Sequence, residues 1–261
     1  MIISEYKKKL EGYLGCTAIP ADFRDFWSNK MNEIPKAVTI QTVPFVNSVA
    51  VYETLILSME NYSIRARVIR PARTGRHPLV LMFHDLNRDI RGWHHMTRFI
   101  AQGYGVIALE SPVNKINWLQ NPKAINFESY IRDALLLGQF ARQLSWVNEQ
   151  KIVTWGEGLG GGLAIAVASM LPCAPWCCAL NPLPADIDTL GYCDIAAFSN
   201  GVIGEVLMGI CLMDTIAPPE AQYAIYNRLN CSKTLKVYPK HMHERVNAFE
   251  NEFLTFLNKY Y

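Results

Sequence analysis

The residues best suited to chemistry lie in three places: the glycine turn Gly156-Glu157-Gly158-Leu159-Gly160-Gly161, an aspartate at 214 and a histidine at 243. The turn satisfies G-x-G-x-x-G, in which backbone amides at a helix start cradle a pyrophosphate. It also sits where G-x-S-x-G would place a nucleophilic serine on a sharp strand-to-helix bend, with Gly158 at the serine's position. A dinucleotide turn normally opens its domain and is followed about 20 residues on by a carboxylate. Here several strand–helix units precede the turn, and the next strand-like stretch, "CCALNPLP", reaches Asp186 only after two prolines. The bend explains more. Gly156 and Gly160 supply the small residues that a close helix–strand approach requires, and Asp214 and His243 follow in the chain order nucleophile, acid, base.

Each of these residues has a plainer use. Asp214 before "TIAPPE" suits a turn, since an aspartate side chain accepts from amides two residues on. His241 competes with His243, although the pair His243-Glu244 favours the latter. His84 reads as packing at a strand end, and His94 and His95 as helix-surface residues. Glu157 either faces solvent or places a carboxylate near a pocket. Lys7-Lys8-Lys9 reads as a solvated helix face.

The elements that must position these groups alternate along the chain. "PADFRDFWSNKMNEI" places Phe23, Phe26, Trp27 and Met31 at helical spacing, opened by Pro20 and Asp22, and the first thirty-odd residues read as helical. "VAVYETLILSM" and "SIRARVIRP", joined at Glu60-Asn61-Tyr62, read as an antiparallel pair. Thereafter "PLVLMFH", "GVIAL", "KIVTW", "CCAL", "EVLMGICL" and "TLKVYP" are strand-like runs separated by helical ones. Apolar strands alternating with helices predict a mostly parallel sheet covered on both faces, with ligands collecting at the carboxyl ends of the strands.

The chain's 261 residues fit one α/β domain, 1–261, and with half of them hydrophobic and 18% charged a large core can be buried. A net charge of +2 gives no argument for nucleic acid or an acidic membrane as partner. "MIISEYKKKLEGYL" shows no apolar stretch ahead of a small-residue cleavage site, and no segment approaches the roughly 20 apolar residues of a membrane span. Seven cysteines, most in apolar runs, suit a reducing cytoplasm. "CAPWCC" lacks a second ligand cluster, so neither a metal nor another cofactor is expected.

At the level of motifs the chain resembles the acetyl xylan esterase and cephalosporin C deacetylase group of carbohydrate esterases, family seven. "PADFRDFW" resembles that family's P-x-D-F-x-x-F-W. "GGLAIAVA" resembles the close of its G-G-S-Q-G-G-G-L-A. "GICLMDTIAPPEAQYAIYN" resembles its G-L-M-D-x-x-x-P-P and A-x-Y-N, and "YPKHMHE" its Y-P-x-x-x-H-E. The resemblance implies an α/β-hydrolase fold, with an N-terminal helix and an antiparallel strand pair ahead of the parallel sheet. It implies Asp214 as triad acid and His243 as base, with the amides of Leu86 (in "HDLN", where the family has H-G-Y-N) and Leu159 as oxyanion hole. It implies a small ester or sugar as ligand, and a homo-oligomer among the forms the chain takes. Gly158 falls on the nucleophilic serine, "ALESPVNK" stands in place of the family's R-G-Q-G, and the chain is several dozen residues shorter than usual. Two functions are therefore expected: an acetyl esterase-like hydrolase working without its serine, or an inactive hydrolase-fold protein that binds a ligand or partner through the former cleft.

Overall fold

The computed structural model describes residues 3–45, 48–88, 90, 92–113, 115–172, 174 and 176–259. In chain order these form α1 (Ile3–Leu10), α2 (Phe23–Met31), β1 (Ala37–Thr42), β2 (Ala50–Ser58), β3 (Ser63–Pro71), β4 (His77–Phe83), α3 (His94–Ala101) and β5 (Gly105–Glu110). They continue with α4 (Phe127–Ala141), β6 (Val147–Glu157), α5 (Leu159–Met170), β7 (Trp176–Leu180), α6 (Ile195–Ser199), β8 (Glu205–Cys211), α7 (Pro219–Arg228), β9 (Lys233–Tyr238) and α8 (Asn247–Asn258).

All nine strands join one sheet in the order β1-β2-β3-β5-β4-β6-β7-β8-β9. The first three strands and the β3–β5 junction are antiparallel, and every pairing from β5 to β9 is parallel. This is the α/β-hydrolase architecture the motifs implied. Side-chain alternation along β4 feeds two cores: Leu79, Leu81 and Phe83 pack with α2, α4, α5, α6 and α7, while Val80 and Met82 pack with α3 and α8. On the α8 side Trp155 stacks on Phe253 with centroids 4.3 Å apart. No helix among the described residues is long and apolar enough to cross a membrane.

One sequence expectation needs correction, and two features go beyond what was expected. The N-terminal region is two short helices rather than one continuous helical stretch. Gly15 at φ 83° interrupts it, and residues 11–22 carry turns and a bend but neither helix nor strand. Asp22 stands at the N-cap of α2 but caps no amide with its side chain; it accepts from the Tyr192 hydroxyl at 2.6 Å instead. Strand β1 was absent from the sequence reading. It lies at the sheet edge with most residues exposed, so its sequence "AVTIQT" carries no strong burial alternation. Cys173, part of "CAPWCC", lies outside the described residues.

The turn between β6 and α5 is the tightest part of the frame. A Cβ on Gly156 would meet the Gly160 backbone at 2.1 Å, and one on Gly160 would meet the Phe83 carbonyl oxygen at 2.3 Å. Helix α5 therefore lies directly against β4 and β6, and its almost wholly buried sequence matches that position. Gly160→Ala should cost about 1–3 kcal/mol through overpacking, read as a lower urea midpoint at unchanged slope. An unmoved midpoint would mean that helix and strand can separate freely.

Candidate active site

Gly158 links β6 to α5 at φ 56°, ψ −124°, a backbone region that glycine enters without steric cost. Its amide donates to the Leu180 carbonyl at 2.9 Å, which ties the bend to β7. The space that a side chain at 158 would enter is filled. A Cβ there would stand 1.9 Å from Oδ1 of Asp85, which follows β4.

Asp85 was not among the residues singled out from sequence, and the site is built around it. Its Oδ1 accepts from the amides of Leu86 (2.7 Å) and Leu159 (3.1 Å), the two groups assigned to the oxyanion hole. Its Oδ2 lies 2.9 Å from Nε2 of His243. On the other side of the ring, Nδ1 of His243 lies 2.7 Å from Oδ2 of Asp214. The vacant apex, the acid, the base and both amides thus converge, and a carboxylate occupies their centre. A signal for it was present in the sequence: "HDLN" carries aspartate where the family pattern carries glycine, the reciprocal of the serine-to-glycine change at 158.

Asp214 makes both kinds of contact anticipated for it. Its Oδ1 accepts from the amides of Ile216 and Ala217, each at 2.8 Å, closing the turn before α7, while Oδ2 meets the imidazole. His241 is half-buried and pairs with Glu244 at 3.1 Å, so the competing histidine is engaged outside the site.

The electrostatics follow from burial and pairing. Side-chain exposures of Asp85, His243 and Asp214 are 4%, 5% and 0%. Burial opposes a charged imidazole, but the hydrogen bonds and charges of Asp214 and Asp85 outweigh it and raise the His243 pKa to about 9. Burial alone would raise the Asp85 pKa; His243 and the Leu159 and Leu86 amides hold it below the ordinary carboxylate value instead. At neutral pH the centre is an imidazolium between two carboxylates.

Glu157 does not face solvent. It accepts from Arg245 Nε at 3.0 Å and lies 3.8 Å from Arg88 Nη1, and Arg88 Nη2 donates to the His243 carbonyl at 3.1 Å. Arg245 continues to Glu250 at 3.1 Å, and Glu250 pairs with Arg98. This chain of charges ties together the loop after β4, the bend after β6 and the loop after β9. Beside it lies a cavity of ≈ 30 Å³, bordered by Asp85, Met82, Phe83, Ile90, Met96 and Trp155 among others. His84 and His95 also border this cavity, His95 half-buried on α3 rather than fully surface-facing; His94 is exposed. Among the described residues no group of three or more histidines, cysteines or acidic residues is arranged to hold a metal ion.

The raised pKa of His243 gives a signed expectation. Its contribution to stability is fully present below the ordinary value near 6.5 and is lost as pH rises through about 9. The His243 ring resonances in an NMR titration should move with a midpoint near 9, and Asp85→Asn should lower that midpoint. A midpoint at or below 6.5 in the unaltered protein would show that the ring is not held between two carboxylates.

Comparison with known proteins accords with this geometry. The acetyl xylan esterase (AXE1) family matches residues 3–114 and 184–260, so the bend itself falls between the two matched stretches. The curated quorum-quenching protein AidA of Acinetobacter baumannii (strain MDR-ZJ06) is 26% identical over 156 residues, 58% of this chain and 48% of that protein; the chain thus spans about half the length of that relative. Among solved structures, acetyl xylan esterase 1 from Thermoanaerobacterium sp. JW/SL YS485 superposes with a TM-score of 0.86 at 23% identity, covering 97% of this chain and 98% of that one. The acetyl xylan esterase from Paenibacillus sp. R4 does so with a TM-score of 0.86 at 18% identity and full coverage of both chains. A cold-adapted esterase from an Arctic intertidal metagenomic library gives 0.67 at 14% identity, over 82% of this chain and 96% of that one. These structural likenesses establish the fold, and the extent of the family match establishes more: the chain belongs to the acetyl xylan esterase family.

Proposed function

We propose that this chain is an inactive member of its hydrolase family toward acetyl esters, its former serine site occupied by its own carboxylate. One observation carries the reading. Asp85 places one oxygen on both oxyanion-hole amides and the other on the imidazole. Those are the positions that a bound acetate, the product of deacetylation, would take. A substrate carbonyl cannot enter the hole while Oδ1 fills it, and with Gly158 there is no hydroxyl to attack. Loss of the nucleophile alone typically lowers turnover about a million-fold, roughly 8 kcal/mol. Occupation of the hole removes the residual catalysis that the amides would still provide.

The same occupancy bears on binding of an anion by the vacant bend. The amides at the start of α5 favour negative charge, and Asp85 supplies it from within the chain. A sugar or small ester as ligand would therefore have to bind outside this hole.

A second reading, hydrolysis of acetylated sugars or small esters, is favoured by the intact 2.7 Å contact between Asp214 and His243 and by both amides remaining aimed at one point. A single experiment separates the two. The unaltered protein should turn over 4-nitrophenyl acetate no faster than buffer, and Gly158→Ser should not help, because its Cβ would meet Asp85 Oδ1 at 1.9 Å. Replacing both residues, Asp85→Gly with Gly158→Ser, should raise turnover at least a hundredfold over Gly158→Ser alone. Turnover by the unaltered protein that is lost in His243→Gln would overturn the inactive reading.

A further inference from the structure

The occupied hole closes acyl chemistry, but it leaves open a reaction that needs the hole only after the first bond is made. We propose that Asp85 is a carboxylate nucleophile for displacement at saturated carbon, converting small alkyl halides to alcohols. The proposal rests on the reading that Asp85 holds the oxyanion hole, and it adds a substrate class to that site.

The arrangement of the two carboxylate oxygens carries the argument. Oδ2 accepts from His243 Nε2 and keeps a second lone pair. Attack by that pair on an alkyl carbon forms an O–C bond and expels halide, leaving an aspartyl alkyl ester. With the ester formed, His243 releases its proton to solvent; water then adds to the Asp85 carbonyl carbon and gives a proton to the now neutral ring, and the oxygen that becomes anionic is Oδ1. That oxygen already lies on the Leu86 and Leu159 amides, at 2.7 and 3.1 Å, so the hole is filled in advance by the atom it would stabilise. Collapse breaks the bond to the alkoxide, which takes the proton back from His243 and leaves as alcohol, and the Asp85 carboxylic acid left behind gives its proton to His243, restoring the resting pair. The net change is alkyl halide plus water to alcohol, halide and a proton.

The base is suited to this order of events. In the resting site His243 keeps its proton because two carboxylates face it. Esterification removes the charge of Asp85, so only Asp214 continues to hold the proton and the ring can act as a base in the step that requires one.

The adjoining cavity sets the substrate class. Met82, Phe83, Ile90, Met96 and Trp155 give it apolar walls, and ≈ 30 Å³ restricts the electrophile to one or two carbons. Arg98 also lines it, and its Nε is buried with no hydrogen-bond partner among the described residues. That donor offers the departing halide a charged N–H.

Bromoethane is the probe. The unaltered protein should release bromide and ethanol in step, at least tenfold faster than Asp85→Asn. With protein in excess over bromoethane in H2(18)O, one turnover should place (18)O in the Asp85 side chain, read by mass spectrometry of its peptide; this measurement needs no variant. His243→Gln should accumulate a 28 Da ethyl adduct on the same peptide. Bromide release no faster than from Asp85→Asn, or (18)O found only in ethanol, would overturn the proposal and leave the inactive-esterase reading standing. Conversely, turnover of 4-nitrophenyl acetate would overturn that earlier reading whatever the bromide result.

Discussion

A carboxylate with a few per cent of its surface exposed persists only if donors replace the water it has lost, and Asp85 has three. Two are amides fixed by the backbone, at the end of β4 and at the start of α5. The third is an imidazole held from behind by Asp214. Removing any of them leaves buried charge uncompensated, so the loop after β4, the bend after β6 and the loop after β9 are coupled through one side chain. The glycine at 158 belongs to the same constraint, because no other residue leaves room for that carboxylate.

The chain of ion pairs from Arg88 through Glu157, Arg245 and Glu250 to Arg98 reinforces this coupling from the side of the sheet covered by α3 and α8. Glu157 immediately precedes the bend and Arg245 lies two residues past His243, so their contact sets the distance between the two loops. Partly buried pairs of this kind add little net stability when intact, yet are costly to break one partner at a time. Their main effect here is geometric: they fix which loops lie against one another.

Much of this was legible in the sequence. Uninterrupted apolar strand runs alternating with helices gave the parallel half of the sheet, and the small-residue run from Gly156 gave the bend and its helix to the residue. Asp214 and His243 could be chosen because the family motifs around them are specific. What escaped was governed by tertiary position rather than local pattern. Strand β1 forms through its pairing with β2, and its own residues are mostly exposed on both faces. Asp85 drew no attention beside Leu86, because nothing in "HDLN" says how far its side chain will reach. Only the fold shows that residues 85 and 158 share one space, and that two changes 73 positions apart form a single exchange.

That shared space also constrains ancestry. Starting from a family member with glycine at 85 and serine at 158, one of the two single-step intermediates must hold an aspartate and a serine whose atoms would lie closer than any real contact. The other holds two glycines and an open hole, which is sterically relaxed. The route without that contact loses the hydroxyl first and gains the carboxylate afterwards; in the other order the Asp85 side chain has to swing off both amides and the imidazole to admit the serine.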